Sequence, residues 1–241
     1  MDSNHKPYDH VASAARIDDI LAQPQGNFEE VDSLPDRDAL TYSNGYYAYC
    51  SAFFIDIRDS SKLPDVYLRP ALAKLYRAYV SELVALLNSN IKAREINIVG
   101  DCVWGVFNTP LQSDIAEVYR LAYFANSLVK LLNYKLAKAS YTTPLRAGIG
   151  LAYGRALMIK AGYNGSGIAD VLYMGDVVNR AAKLASGAGG LYQPTILLDK
   201  VFAENLNDDN RKLVSWDHTR GCYRSDAVSA AMDEWYTQNC T

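Results

Sequence analysis

The sequence is poor in the side chains on which zinc sites and histidine-dependent hydrolases rely. It contains three histidines and four cysteines among 241 residues, and none stands at the spacing of a metal site or a redox pair. They are His5, His10, His218, Cys50, Cys102, Cys222 and Cys240. This scatter argues against a histidine-based zinc site and a Ser-His-Asp triad. Isolated cysteines are typical of a reducing compartment, so we expect a cytoplasmic protein.

Two further features are missing, namely an excess of positive charge and long apolar runs. The net charge is −3, whereas non-specific nucleic-acid binding requires clustered positive charge. No apolar run approaches the length of a membrane span, and the first residues lack the apolar core of a signal peptide. We therefore expect neither a nucleic-acid substrate nor a membrane partner. The apolar share of 49% and the charged share of 21% are typical of a soluble globular protein.

The amino-terminal part of the chain differs in composition from the rest. Residues 1–40 are polar and rich in acids, and we interpret them as an amino-terminal arm. Residues 9–23 are predicted to form one short helix within it, capped near Asp9 or Ser13. Residues 41–241 are predicted to form a single domain. We expect the arm to pack on this domain or on a partner chain.

The first elements of the domain are predicted in the order strand, helix, hairpin, helix, strand. Aromatic and β-branched residues predict a buried strand over residues 46–57. Apolar residues at three- and four-residue steps predict helices over residues 64–87 and 113–138. Between these helices, two alternating apolar runs join at Gly100-Asp101 and predict a hairpin over residues 94–107. The βαββαβ order predicts an α+β fold, in which helices cover one face of an antiparallel, ferredoxin-like sheet.

The remainder of the domain is predicted to be rich in strands. Residues 144–159 are predicted to form two strands that turn near Gly154. A glycine-rich loop follows at residues 162–167, and a short strand then leads into a third helix. Short strands over residues 195–198 and 213–216 are predicted to alternate with polar loops.

Two aspartates stand at strand ends in otherwise apolar surroundings. Asp56 closes the first strand, and Asp101 lies at the tip of the hairpin. Since the first strand lies beside the hairpin in a βαββαβ sheet, the two carboxylates are predicted to approach each other. Burying both carries a large desolvation cost unless a cation lies between them, and Mg²⁺ or Mn²⁺ is the usual solution. The alternative, in which Asp101 only bonds the backbone of its own turn, stays open at this point.

The segment after Asp56 adds a second element of a phosphate site. Residues 58–62 are polar and precede the first predicted helix, so their amide groups can receive a phosphate. Two carboxylates, a metal ion and a helix amino terminus together indicate phosphoryl transfer on a nucleotide.

Four motifs, in this order, resemble those of class III nucleotidyl cyclases. They are Phe53-Phe-Ile-Asp-Ile, Val99-Gly-Asp-Cys-Val-Trp-Gly-Val-Phe, Leu145-Arg-Ala-Gly-Ile-Gly-Leu-Ala-Tyr-Gly and Gly175-Asp-Val-Val-Asn-Arg-Ala-Ala-Lys-Leu. The resemblance extends over residues 46–200 and implies the class III catalytic domain with extra carboxy-terminal strands. The Gly-Gly-Asp/Glu-Glu-Phe signature of the related diguanylate cyclases is absent.

The resemblance implies roles for individual residues of a catalytic site. Asp56, Asp101 and the carbonyl of Ile57 match the ligands of two metal ions, Mn²⁺ or Mg²⁺. One ion would lower the pKa of the ribose 3′-hydroxyl, and the other would hold the β- and γ-phosphates. The residues expected beside the phosphates are Arg58, Ser60 and Ser61.

The resemblance also implies that each site is shared between two subunits. Asn179 matches the asparagine that orients the ribose, and Lys183 stands where the family has an arginine that steadies the transition state. Lysine keeps the charge but lacks the bidentate fork. Whether Lys183, Arg180 or another residue serves this role therefore stays open, as does a simple solvated lysine. Since the family takes its metal ligands from one subunit, and Asn179 together with the base-reading residues from the other, a head-to-tail homodimer is implied.

The base-reading positions depart from those of the purine cyclases. Asn97 stands where adenylate cyclases have lysine and guanylate cyclases have glutamate, and Leu172 stands at the second position. Leucine offers no hydrogen bond, so an adenine amino group would be buried unpaired at a cost of about 1–3 kcal/mol. Asn97 carries a donor and an acceptor and can pair with uracil or cytosine. Phe54 and Tyr173 match positions that line the base, and the bulk of Tyr173 suits a small ring.

Such a pocket resembles that of the pyrimidine cyclases of bacterial Pycsar antiphage systems. The resemblance implies conversion of UTP to 3′,5′-cyclic UMP and pyrophosphate, and a separate effector that the cyclic nucleotide activates. Three alternatives stay open. They are a cytidylate cyclase that uses CTP, an adenylate cyclase with an atypical pocket, and a catalytically silent homologue that binds a nucleotide.

Overall fold

The computed structural model describes residue 3 and residues 5–240, and strands in this part of the chain form one sheet. The strands are β1 Phe28–Glu30, β2 Gly45–Ile57, β3 Ala93–Val99, β4 Cys102–Phe107, β5 Ala147–Tyr163, β6 Ile168–Met174, β7 Ile196–Leu198, β8 Ser215–Asp217 and β9 Cys222–Ser225. The helices are α1 His10–Leu21, α2 Leu63–Val66, α3 Arg69–Asn88, α4 Gln112–Lys138, α5 Asp176–Gly187, α6 Lys200–Glu204, α7 Asp208–Arg211 and α8 Ala230–Asn239.

The order of the strands confirms the predicted α+β fold. The sheet runs β3-β4-β2-β5-β7-β9-β8, while β1 pairs with β2 and β6 pairs with β5. β2 lies antiparallel between β4 and β5, and β3 pairs antiparallel with β4. Together with α3 and α4, these four strands form the βαββαβ unit. The strands β7, β9 and β8 extend the sheet on the side of β5, as the resemblance implied.

The sheet separates two apolar layers. Phe53 and Ile55 of β2 belong to the layer that contains Leu83 of α3. Phe54 belongs to the opposite layer, together with Ala181 of α5. Successive residues of a strand point to opposite faces, so β2 contributes to both layers. The helices α3 and α4 thus cover one face, and α5 covers part of the other.

Two glycines of β5 allow α5 to approach the sheet closely. A Cβ atom on Gly148 would lie 2.3 Å from the carbonyl oxygen of Ala185. On Gly150 it would lie 2.1 Å from the carbonyl oxygen of Ala181. Since real Cβ atoms do not approach backbone this closely, both positions require glycine while α5 keeps its place.

Gly150→Ala is expected to destabilise the fold by about 2–3 kcal/mol, because the added methyl group must displace the backbone of α5. The matched control is Gly154→Ala, whose Cβ would lie 2.9 Å from a guanidinium nitrogen of Arg180 and at ordinary contact distance, 3.5 Å, from Cβ of Val177. That flexible side chain can move aside, so we expect a change below about 1 kcal/mol. Urea denaturation measures both variants, and equal stabilities would contradict this account of the close packing.

β5 is longer than the sequence predicted. It is one continuous strand of 17 residues, so the prediction of two strands that turn near Gly154 is wrong. Gly154 lies opposite Cys50 in the ladder with β2. Its missing side chain leaves room for Arg180. The glycine therefore permits a close contact rather than a turn.

The helix predicted over residues 64–87 is two helices. The short helix α2 ends before Tyr67, and the chain is extended at Tyr67 and Leu68 before α3 begins. Pro70 lies in the first turn of α3, where a missing amide hydrogen is tolerated. In the interior of one continuous helix the same proline would remove a hydrogen bond and clash with the preceding turn.

The arm contacts the domain in both of its halves: Lys6 and Arg16 lie over the ring of Tyr163, and residues 28–40 pack on the sheet. The predicted short helix is α1, and the carboxylate of Asp9 caps it by accepting hydrogen bonds from Val11 and Ala12. β1 pairs in parallel with the start of β2. Leu34 and Leu40 are buried in the apolar layer that contains Phe54. No helix in the described part of the chain is both long and apolar enough to cross a membrane.

Candidate active site

The turn between β3 and β4 brings Asp101 to the end of β2, where Asp56 lies. Gly100 has a φ of 63°, a left-handed conformation that glycine adopts without strain. The ladder pairs Ile55 of β2 with Val103 of β4, so the hairpin tip reaches the level of Asp56. The two carboxylates are direct neighbours, because Asp101 acts on Asp56 through both its charge and a side-chain contact.

The two carboxylates repel each other in a partly buried position. Burial raises the pKa of Asp56 to about 6, and the charge of Asp101 adds to the effect. The charge of Arg58 lowers the pKa of Asp56, because Nη2 of Arg58 donates a hydrogen bond to Oδ2 of Asp56 at 2.8 Å. Oδ2 of Asp101 is buried and has no hydrogen-bond partner among the described residues, so this oxygen does not cap the turn. An acceptor pair of this kind is suited to a hard cation with oxygen ligands.

A metal ion at this place would have few protein ligands. Within residue 3 and residues 5–240, no group of three or more His, Cys, Asp or Glu side chains is placed to hold an ion. Ile57 ends β2, and its side chain is buried. Its contribution to such a site is therefore limited to the backbone. Magnesium commonly binds in this way, through one or two carboxylates together with substrate phosphates and water.

The segment after β2 does not open a long helix, contrary to the expectation from the sequence. The backbone of Asp59 adopts the left-handed conformation, with a φ of 57°. Ser60–Lys62 form one 3₁₀ turn, and the four-residue helix α2 follows. So short an element has a small dipole, which weakens the predicted phosphate site at a helix amino terminus. Ser61 is exposed, whereas Ser60 is only partly so.

Arg58 is bonded within its own chain. Besides Asp56, it donates from Nη1 to the carbonyl oxygen of Ser186 in α5, at 2.6 Å. Arg58 therefore links the carboxylate pair to the end of α5. It is the positive group nearest to Asp56 in this structure, and a phosphate bound beside the carboxylates would meet it there.

Three of the four predicted base-reading residues belong to one face of the sheet. Phe54 stacks on Trp104, with ring centroids 5.1 Å apart and an angle of 3° between the planes. Asn97 lies opposite Trp104 in the ladder of β3 and β4, and it is half-buried. Tyr173 of β6 is buried in the same apolar layer as Phe54. The sequence analysis did not include Trp104 among the base-pocket residues. Its position in the hairpin was a signal for it, because the hairpin pairing places Trp104 opposite Asn97 and therefore on the same face of the sheet.

Leu172 does not share this face with Phe54, Asn97 and Tyr173. It is 42% exposed, while its neighbour Tyr173 is 7% exposed. Alternation along β6 puts the two side chains on opposite sides of the strand. In a single subunit the buried tyrosine, rather than the leucine, therefore belongs to the apolar layer of Phe54.

The helix α5 presents two of the predicted catalytic residues to solvent. Asn179 and Lys183 are exposed and lie one helical turn apart. The ammonium group of Lys183 has no hydrogen-bond or ion-pair partner in the described part of the chain. Arg180 is different, because its Nε lies 3.1 Å from Oδ2 of Asp199 and its Nη2 donates to the carbonyl oxygen of Tyr153.

The fold is that of the class III nucleotidyl cyclases. The chain superimposes on the adenylyl cyclase CyaB from P. aeruginosa with a TM-score of 0.61 and 20% identity, over 71% of this chain and 85% of that one. For the guanylyl cyclase Cya2 the TM-score is 0.62 at 14% identity, over 77% and 95%. For a class III adenylyl cyclase-like ATP-binding protein from Pseudomonas aeruginosa it is 0.71 at 18%, over 93% and 48%. No protein-family model matches the chain.

Sequence relatives define the family more narrowly. A uridylate cyclase from Gulbenkiania mobilis is 48% identical over 190 residues, which are 76% of this chain and 73% of that protein. A uridylate cyclase from Treponema porcinum is 34% identical over 232 residues, or 95% and 80% of the two chains. The chain belongs to the uridylate cyclase family, and the resemblance noted in the sequence is confirmed.

Proposed function

We propose that this protein converts UTP to 3′,5′-cyclic UMP and pyrophosphate. The observation that carries the proposal is the adjacent carboxylate pair of Asp56 and Asp101, in a chain that belongs to the uridylate cyclase family. A silent homologue would have no reason to retain a partly buried pair of like charges, because such a pair costs stability. The cyclic nucleotide would then act on a separate effector, in antiphage defence in the cytoplasm.

The carboxylate pair supports a site for two ions of Mn²⁺ or Mg²⁺. Asp56 and Asp101 would hold them together with the carbonyl oxygen of Ile57, since these ions prefer oxygen ligands. Bound ions of this kind lower the pKa of a hydroxyl and neutralise charge on phosphates. Arg58 would move from Asp56 to the phosphates of the substrate, where its planar fork suits two phosphate oxygens.

Each site would combine two subunits of a homodimer. Asn179 and Lys183 project from α5 into solvent, so they are free to reach a second chain. Arg180 is occupied by Asp199 and by the backbone of Tyr153. We therefore assign the transition-state cation to Lys183 rather than to Arg180, and the orientation of the ribose to Asn179.

The aromatic wall of the base pocket supports a pyrimidine substrate. Phe54, Trp104 and Tyr173 occupy the face of the sheet that also carries Asn97. Stacked rings leave a narrow space, and an amide can pair with the edge of uracil. An adenylate cyclase of this family instead needs a partner for the adenine amino group, which the exposed Leu172 does not supply.

The test is turnover of each nucleotide alone. Purified protein is incubated with Mn²⁺ and with UTP, CTP, ATP or GTP, and the products are identified by mass spectrometry. We expect cyclic UMP and pyrophosphate in equal amounts from UTP. If ATP gives the fastest reaction, the pyrimidine assignment fails, and if no nucleotide is cyclised the silent homologue is the correct interpretation.

Metal affinity is expected to fall as the pH falls through 6. Because the pKa of Asp56 is raised to about 6 in the folded, metal-free protein, protons compete with the metal ion below this pH. At pH 5 the apparent affinity for Mn²⁺ should be about tenfold weaker than at pH 7.5. Titration calorimetry with Mn²⁺ alone measures it. In Asp56→Asn any residual binding should lack the step near pH 6, and equal affinities of the wild type at both pH values would contradict the assignment.

A further inference from the structure

Arg37 of the arm joins the two strands that carry the base-reading positions. Its Nη1 donates to Oε1 of Glu95 at 2.9 Å, and its Nη2 donates to the carboxylate of Asp170. Glu95 lies on β3, two residues before Asn97. Asp170 lies on β6, two residues before Leu172. The two strands are not neighbours in the sheet, so this ion-pair bridge spans the pocket face between them.

The bridge lies beside two buried polar atoms that have no partner. Glu95 is only 8% exposed, and its Oε2 has no hydrogen-bond partner in the described part of the chain. The same holds for the hydroxyl of Tyr173. Burial raises the pKa of Tyr173, and the charge of Glu95 raises it further, so the two groups are close. Native proteins rarely leave buried polar atoms unpaired unless the site has a use for them.

We propose that Arg37 is a positioning residue for base selection, which holds β3 and β6 at the separation that lets the pocket distinguish uracil from cytosine. The inference rests on the proposed function, because it concerns the base pocket of that site. Uracil presents a donor at N3 and an acceptor at O4, whereas cytosine presents an acceptor at N3 and a donor at its 4-amino group. The amide of Asn97 can turn to suit either pattern. Selection therefore needs polar groups that are fixed in place, and the bridge supplies the constraint on Glu95.

A second ion pair of the arm provides a matched control. Arg155 of β5 donates to the carboxylate of Glu30 in β1. This pair also ties the arm to the sheet, but it reaches neither β3 nor β6. Loss of either pair should loosen the arm, and more so for Arg37, because Glu95 is buried and the Arg155 pair is exposed. Only loss of the Arg37 bridge should change the base pocket.

The experiment compares kcat/KM for UTP and for CTP in Arg37→Met, Arg155→Met and the wild-type protein, with Mn²⁺. Methionine keeps most of the apolar length of the side chain and removes the charge. We expect the UTP-to-CTP ratio to fall about tenfold in Arg37→Met, mainly through a higher KM for UTP. The ratio should stay within about twofold of the wild type in Arg155→Met. Arg37→Lys keeps the charge but lacks the fork that spans both carboxylates, so its UTP-to-CTP ratio should be intermediate. The same variant replaces Arg37→Met in the experiment if Arg37→Met does not fold.

An unchanged ratio in Arg37→Met, or an equal loss in Arg155→Met, would overturn the inference. If only Arg37→Lys can be purified, a ratio equal to that of the wild type would overturn it as well. A wild-type protein that makes no cyclic UMP would overturn the proposed function itself. The two failures are distinguishable, because the first leaves turnover of UTP by the wild type intact.

Discussion

Asp101→Ala is expected to lower the rate of cyclic UMP formation by about 10³-fold or more while the protein stays folded. The carboxylates of Asp56 and Asp101 are neighbours, and their proposed role is to hold the metal ions that act on the reacting groups. Removal of one carboxylate leaves Asp56 with the opposite charge of Arg58 and without the repulsion of a like charge. Therefore the melting temperature of the metal-free variant should equal or exceed that of the wild type.

The measurement combines turnover of UTP with the thermal unfolding of the same samples. Asp65→Ala is the control, because Asp65 is an exposed acid in the nearby helix α2. It should retain both rate and stability. A loss of activity in Asp101→Ala that is matched by a lower melting temperature would indicate a structural role for the aspartate. Full activity in Asp101→Ala would show that Asp101 is not part of the active site.

Two inactive variants are expected to restore activity when they are mixed. Asp56→Ala removes a metal ligand, and Asn179→Ala removes the residue assigned to the ribose of the partner's site. In a mixed dimer, one of the two shared sites contains both substitutions and the other contains neither. With random exchange, half of the dimers are mixed and half of their sites are intact, so about a quarter of the wild-type activity should return.

The control for this experiment is a mixture of Asp56→Ala with Asp101→Ala. Both residues serve the same side of a site, so every site in that mixture lacks one carboxylate and no activity should return. Subunits are exchanged by incubation at low concentration, and turnover of UTP is then followed over time. If the first mixture stays as inactive as the second, the two groups act within one chain, and the shared-site arrangement is wrong.

The part of the fold that could be predicted from the sequence is the part that local patterns specify. The hairpin of β3 and β4 is an example, because its alternating apolar residues and its Gly100-Asp101 turn determine the pairing within a few residues. α4 follows equally from its apolar periodicity, and β2 follows from its aromatic and β-branched residues. The approach of Asp56 and Asp101 required only the βαββαβ order in addition, since this order places β2 beside the hairpin.

The features that could not be predicted depend on contacts between distant parts of the chain. Arg37 forms ion pairs with residues that are 58 and 133 positions away in the sequence. No local sequence pattern distinguishes Arg37 from the other charged residues of the arm. The sequence predicts a turn at Gly154, because a glycine within an apolar run is compatible both with a turn and with a close approach of another element. Its neighbour Arg180 comes from a different element. The exposure of Leu172 likewise depends on which face of β6 is covered.

The most direct test of the assigned activity is competition among the four nucleoside triphosphates. The wild-type protein is incubated with Mn²⁺ and equal concentrations of UTP, CTP, ATP and GTP, and the cyclic products are quantified by mass spectrometry at early times. Under these conditions the product ratios report the ratios of kcat/KM. The uridylate cyclase assignment predicts that cyclic UMP is the main product. Cyclic CMP, cyclic AMP or cyclic GMP in larger amount, or no cyclic product at all, would contradict it.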